Sequence, residues 1–505
     1  MSVSASRDEA RSVVPAALVS GTLVVLALGV TSGVSMRGTA ALAVLVTLFA
    51  LVRPAYIGWP RLIGALILII LFIPIRRYSL PVNLPVQLEP YRIFVALLVV
   101  GWLASLLVDP RTRLRRTGFE APLVVIVGSA FASIAANPGR VAALSTEVDK
   151  KLMFFLSFVL VLYLTASVIR RLDNIDFLTK TLVAGGSVVA FFAIIEARTG
   201  FNVFNHLSRV IPVLRGGGIA GPAFLRYGAA KERVFGSAEH PIALSAALVM
   251  LVPLAVYLAR RTRQRRWILC VLMLALACAG TVSRTGIVMF VVVVLVFLWL
   301  RPRQTRRLWP AIIPALAAVH FILPGTIGAL KHSFLPSGGL VAEQQKQAGT
   351  VGSGRIADLG PGIREWKQQP LFGQGFGTRV VDPEVPGPKA DILDDQWLGT
   401  LLETGIVGMF GWIWFFVRAV RRFGAEAKRD DSERGWLLAS IAAAVAAYAV
   451  GMLTYDAFSF IQVTFLLFIL VGLGSALMAE QPTPLAVRTM RERLAPTRRP
   501  AWETS

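Results

Sequence analysis

Runs of roughly 15 to 22 mostly apolar residues, divided by short polar or basic segments, recur along nearly all of the 505-residue chain. A helix needs about 20 such residues to cross a bilayer, where each backbone amide and carbonyl must find its partner inside the protein. That repetition predicts an all-α polytopic membrane protein. The candidate spans are 13–33, 38–52, 62–75, 93–108, 121–136, 152–169, 177–195, 241–259, 267–280, 286–300, 308–330, 397–417, 436–453 and 457–478, which brackets the total at about 12–14 transmembrane helices. The second and third are short enough for a re-entrant pair or tilted half-spans. Composition agrees: 55 % of residues are hydrophobic and only 16 % charged, where soluble chains carry about 25 %.

The net charge of +23 would suggest nucleic acid in a soluble domain. Here the arginines fall in clusters between apolar runs, where they set topology, so nucleic-acid binding is excluded from the reading. Cytoplasmic loops are rich in Lys and Arg. With both termini cytoplasmic, the clusters at 111–116, 170–171, 260–266, 301–307 and 418–434 all fall inside. The resulting organisation is a cytoplasmic N-terminus over 1–12, a transmembrane domain over 13–480 and a basic cytoplasmic tail over 481–505. Extracytoplasmic loops cover 197–240 and 331–395, the latter lying between the spans near 308–330 and 397–417. The first run is long and lacks a clear small-residue cleavage site, so it reads as a retained span and not a signal peptide. Cys270 and Cys278 share one apolar run, so neither a disulfide framework nor a metal site follows. No internal repeat or separate soluble domain is evident.

The loop 331–395 is Gly- and Pro-rich and far longer than ordinary connections, which marks it as functional; closing an active site at the membrane surface is the role expected of it. Outer loops should be poor in arginine, so the arginines there need a reason. Arg233 precedes Gly236 and the helix entry at His240-Pro241, where free amides and a guanidinium suit an anion; an interfacial, snorkelling arginine is the alternative. Arg284, in TVSRTG between two apolar runs, marks a pathway or ligand site unless it is an interfacial turn residue. The long loop adds Arg355, Arg364, Trp366 and the turn GQGFG, which follows no βαβ pattern and is no dinucleotide fingerprint. Asp394 and Asp395 then lead into Gln396 and Trp397. Adjacent carboxylates raise one another's pKa towards the range of a general base, although capping of the following helix is as good an explanation. Glu403 lies about two turns into that helix, where an acid should face the protein interior. His240 is a helix-entry residue or, less readily, a catalyst.

Taken in order, RVFGSAEHPIALSAAL, a basic inner loop, SRTG, GR with a downstream tryptophan, PLFGQGFGT and DDQWLGTLLETGIVGM resemble the O-antigen ligase and polymerase superfamily of bacterial membrane proteins. The resemblance covers residues 233–409. It implies an all-helical fold of about twelve spans with a large extracytoplasmic loop. It also implies transfer of glycan from a polyprenyl diphosphate carrier to a hydroxyl acceptor, with no cofactor and no metal. Arg233, Arg284 and Arg355 would hold the diphosphate, with Arg364, Trp366 and Trp397 as acceptor or loop contacts. The ligase branch carries a histidine and asparagine just before the last motif. Asp394 and Asp395 stand there in this chain, which bears on both the catalytic-histidine role and attachment to a lipid A core.

The residue types suit that chemistry independently. A departing diphosphate gains charge as the glycosidic bond breaks, and fixed cations there favour the transition state. The outer loop between Arg76 and Arg92 holds only Glu89 as an acid, so it offers no carboxylate pair for a metal. The incoming hydroxyl needs a base or orienting acceptor on the far side of the sugar; Asp394, Asp395, Glu403 and His240 are the candidates. The expected protein is an inverting, metal-independent polysaccharide ligase or polymerase in the bacterial plasma membrane. Its active site faces outward, and its partners are a lipid-linked glycan donor, a glycan or lipid-linked hydroxyl acceptor and membrane lipids. A flippase for the same lipid-linked glycan and a non-catalytic envelope scaffold are the rival readings. Ion-coupled transporters keep ionisable groups at mid-membrane, and the candidate spans offer only Lys180, Glu196 and Glu403.

Overall fold

The computed structural model describes residues 58–80, 89–109, 112–216, 233–307, 309–335, 355–380 and 393–479. The expected first two spans, the basic tail, and parts of the loops 197–240 and 331–395 lie outside the described residues. The rest is a helical bundle, as the apolar repetition requires. Seven described helices are long and apolar enough to cross a membrane: Pro90–Val108, Ser145–Val168, Leu172–Thr199, Pro241–Thr262, Gln396–Arg429, Glu433–Gly451 and Ile461–Ala479. Four shorter apolar helices join them, Trp59–Phe72, Glu120–Ala136, Arg284–Leu300 and Ile312–Ile322. The described strands are the two-residue pair Tyr78–Ser79 and Arg215–Gly216.

Helix starts follow local chemistry. Proline occupies the first turn of Trp59–Phe72, Pro90–Val108 and Pro241–Thr262, where its missing N–H costs nothing. Ser283 and Ser432 cap Arg284–Leu300 and Glu433–Gly451 through their hydroxyls.

The centre of the bundle is built from Pro241–Thr262, Glu433–Gly451 and Ile461–Ala479, the three most buried spans. Lipid tails are as apolar as leucine, so helices in a bilayer associate through close packing and not through the hydrophobic effect. The sequence IAAAVAAYAVG in Glu433–Gly451 supplies that closeness, and this helix packs on Pro241–Thr262, Arg284–Leu300 and Gln396–Arg429. Wholly buried Tyr448, Phe415, Phe465 and Phe468 fill the remaining space, with Phe158 and Phe465 meeting edge to face at 4.7 Å.

The run 308–330 does not form one span. A short 3-10 turn at Trp309–Ala311 leads into Ile312–Ile322, and a second helix, Thr326–Phe334, begins after a break. Pro324 has no amide to continue the ladder, and Gly325 takes a left-handed φ of 81°.

The bundle has two distinct faces. On one, the arginine clusters knit helix ends together. Arg422 donates to the Thr117 carbonyl and Arg418 to that of Gly118. Arg261 pairs with Asp176 and Glu433, Arg301 with Asp431, and Arg434 donates to the Leu477 carbonyl. All five clusters expected on one side therefore gather at one end. The opposite end gathers the described residues of 73–92, 137–151, 197–240, 281–285, 367–395 and 452–460, among them parts of the two loops expected outside, 197–240 and 331–395.

Candidate active site

At that opposite end a cavity of about 350 Å³ opens among six stretches of chain, 76–92, 126–130, 147–158, 376–379, 393–412 and 456–461. Its apolar floor includes Phe155, Phe158, Phe376, Trp412 and Phe458. Its charged wall holds Arg76, Arg92, Lys150, Lys151 and Arg379 together with Glu147, Asp395, Glu403 and Asp456. The size and mixed lining are those of a small-molecule site.

The longest helix supplies one wall, and it is broken. Gln396–Arg429 runs for 34 residues, but Gly405 sits at φ 65° and ψ −165°, outside helical geometry. The break frees backbone groups that the turn PLFGQ satisfies: the Ile406 amide donates to the Pro370 carbonyl at 2.9 Å, and the Gln374 amide to the Leu402 carbonyl at 2.9 Å. Ser133 Oγ donates to the Glu403 carbonyl at 2.5 Å, so no orphan remains at these positions. The fit demands glycine on both sides. A Cβ on Gly405 would stand 2.2 Å from the Leu371 carbonyl oxygen, and one on Gly373, also at positive φ, 2.4 Å from that of Leu402. PLFGQGFGT and LLETGIVGM are thus two halves of one joint, and the close approach their glycines allow is to the protein's own backbone. Asn137 and Arg140 hold the turn from the third side, bonding to the Gly373 carbonyl at 2.9 Å and to Gln374 Oε1 at 3.0 Å.

The joint places Glu403 at the cavity wall, where its Oε1 accepts from Lys151 Nζ at 3.3 Å. Lys151 also donates to the Arg379 carbonyl at 2.8 Å, and Arg379 Nη1 bonds Glu365 at 3.1 Å. Across the cavity, Arg92 pairs with Glu89 at 2.9 Å and Arg76 with Glu239 at 3.1 Å. The Arg76 backbone, itself at a positive φ of 64°, donates to the other oxygen of Glu89 at 3.0 Å. Burial lifts the Glu239 carboxyl to about 7, the Arg76 charge opposing it and Glu89 adding to it. Burial likewise raises the Asp456 carboxyl, which accepts from Ser459; the Ser459 bond and the Lys151 charge oppose the rise and Glu403 adds to it.

Of the residues singled out in the sequence, Asp395 and Glu403 line the cavity. Asp395 also caps its helix, Oδ1 accepting from the Trp397 and Leu398 amides at 2.9 and 3.2 Å. Asp394 lies next to it, half-buried and outside the lining. Trp397 donates its indole N–H to the Ala449 carbonyl at 2.9 Å, and Trp366 to that of Pro370 at 3.1 Å, so both hold backbone in place. His240 Nδ1 accepts from the Ile242 amide at 3.1 Å, capping Pro241–Thr262, and its ring stacks on Phe460.

Arg233 donates to the Thr281 carbonyl at 3.1 Å, beside the turn that Arg284 follows. That turn reaches the cavity's edge indirectly: Thr285 accepts from Thr454 at 2.9 Å, two residues before Asp456. Neither arginine lines the cavity. Arg364 is exposed on the helix Arg355–Trp366; the Arg355 side chain lies outside the described residues.

Sequence reasoning passed over Arg76, Arg92, Lys151, Arg379 and Asp456. One signal was there. By the same alternation of spans, Arg76, Arg92 and the pair Lys150-Lys151 fall on the side that should be poor in positive charge. Among the described residues no three His, Cys, Asp or Glu side chains gather as metal ligands.

No curated protein matches the chain. A family model does, and it spans the stretch from Arg265–Gly280 through SRTG and PLFGQGFGT to the far side of the helix break. Over residues 268–413 the chain matches the model of the O-antigen ligase family, and it resembles that family over this stretch.

Proposed function

We propose that this protein transfers glycan from a polyprenyl diphosphate-linked donor to a hydroxyl acceptor, with inversion and without a metal ion, at the outer face of a bacterial plasma membrane. The observation that carries the reading is the cavity, which sets cations and carboxylates above an aromatic floor at the end of the bundle opposite the arginine clusters. Those clusters belong to the cytoplasmic side by the positive-inside rule, which turns the cavity outward. The family match supports glycan ligation or polymerisation as the reaction class.

In this reading Arg76, Arg92, Lys151 and Arg379 receive the diphosphate, whose charge grows as the anomeric bond breaks. Fixed cations serve a leaving group of this kind without needing to be recruited at the moment of reaction. The aromatic floor takes sugar faces or the first isoprene units. Asp395, Glu403 and Asp456 are the acids from which the acceptor's base is drawn. Arg233 and Arg284, on the adjoining turn, are assigned to the approach of the donor, and Arg355 keeps its place as a diphosphate contact from the helix Arg355–Trp366.

Reconstitution of the purified full chain with a polyprenyl diphosphate oligosaccharide tests this. Free polyprenyl diphosphate together with a lengthened or transferred glycan, unchanged by chelator, is the expected product. Movement of the lipid across the bilayer with its bond intact would establish a flippase instead, and neither outcome would leave a scaffold.

A further inference from the structure

In the structure each cation of the cavity wall is already paired with a carboxylate. Arg76 holds Glu239, Arg92 holds Glu89, Lys150 holds Glu147, Lys151 holds Glu403 and Arg379 holds Glu365. A polyanion entering such a site must compete with the resident acids. The five pairs are not equal in that contest. Glu239 and Glu89 are more buried than their arginines and lie outside the lining, so an anion can meet those guanidiniums from the open side while the acids keep them in place; Glu365 also lies outside the lining. Lys150 and Glu147 form a one-turn pair on the helix surface. Lys151 and Glu403 alone bridge two elements with both partners facing the cavity. Their contact is also the longest of the five, at 3.3 Å, while a second Lys151 proton is fixed on the Arg379 carbonyl at 2.8 Å. An ammonium is a point charge with three donors and no preferred fork, so it changes partners without moving its stem.

We propose that Lys151 is an exchange point: the donor's diphosphate takes the place of Glu403 on the ammonium, and the carboxylate so released becomes the base for the acceptor. This rests on the cavity being the transfer site and adds the order of events within it. Before donor binds, Glu403 is held in an ion pair and cannot take a proton from an incoming alcohol or water. Once the diphosphate occupies Lys151, Glu403 is free to accept the acceptor's hydroxyl proton. The acceptor oxygen forms the new bond to the anomeric carbon, and the electron pair of the old bond leaves on the diphosphate, which Lys151 now neutralises. Base and leaving-group stabiliser are thereby armed by one event, the binding of the donor.

The test is the affinity of the intact detergent-purified protein for inorganic pyrophosphate, measured by calorimetry in wild type and three variants with matched melting temperatures. Lys151→Met should weaken binding by about tenfold or more, and Glu403→Gln should tighten it by roughly three- to tenfold, because the competitor is gone. Asp173→Asn, which removes an exposed carboxylate at the arginine-cluster end, should change nothing and so controls for net charge. A side chain that merely supports the fold would not improve anion binding when altered. Weaker or unchanged binding in Glu403→Gln, or unchanged binding in Lys151→Met, overturns the exchange while leaving the cavity's assignment standing. Failure of pyrophosphate to bind the wild type overturns both.

Discussion

Arg301 and Lys151 sit at opposite ends of the bundle, and each is a cation paired with an acid. Arg301 is 5 % exposed, bonds Asp431 and the carbonyls of Ala427 and Asp430, and lies over the Trp436 ring. Lys151 is 39 % exposed, with one carboxylate and one carbonyl, in a cavity wall. A buried cation bonded to fixed backbone is part of the architecture, since removing it strands the carbonyls it serves. A half-open cation with one exchangeable partner is worth little to stability and is available to a ligand. The two ends use the same residue types, and access to water and ligand separates their work.

Several substitutions press on that contrast. The largest effect belongs to Glu403→Gln, which should lower transfer by at least about 10²-fold, the span of a lost general base, while the melting temperature stays near wild type. Turnover assays on reconstituted protein check it, and unimpaired transfer would remove Glu403 from the mechanism. At the other end Arg301→Ala should cost stability by about 2 kcal/mol through the carbonyls of Ala427 and Asp430 that it leaves unpaired, seen as a lower melting temperature with normal activity in whatever remains folded. A wild-type melt would mean that the basic end is not the architectural one.

Gly405→Ala addresses the joint. It should destabilise by about 2–3 kcal/mol, since the new Cβ meets the Leu371 carbonyl and the backbone is held at positive φ. A melt like that of the wild type would show the break to be optional.

The smallest effect concerns pH. The Glu239 carboxyl is raised from 4.5 to about 7 by burial, so the folded protein holds its proton where the unfolded chain has released it. Stability should therefore decline as pH rises from about 4.5 to 7 and level off above. In Glu239→Gln that slope should be reduced in thermal melts taken across the interval. An identical slope in both proteins would locate the titration elsewhere.

The fold was legible because bilayer length leaves so few solutions: the spans after residue 58 reappear as helices, and the five arginine clusters do collect at one end. The split of 308–330 was hidden in an apolar run whose Pro324 and Gly325 outweigh its hydropathy. The site was legible only in part. Asp395 and Glu403 could be picked out because an acid at a helix entry or within an apolar helix stands out against its surroundings. Lys151 and Arg76 could not be matched to their acids, Glu403 and Glu239, which lie 252 and 163 residues away. The glycines of PLFGQGFGT were visible, but nothing in the sequence said that their neighbour would be a broken helix and not a ligand.

The most direct measurement is photo-crosslinking of the full chain in nanodiscs with a polyprenyl diphosphate that carries a diazirine beside the diphosphate. Adducts should map to the cavity-lining peptides around Lys151 and between Asp395 and Trp412, and excess pyrophosphate should suppress them. Adducts concentrated on the clusters at 260–266 or 301–307, or indifferent to pyrophosphate, would contradict a diphosphate site in this cavity.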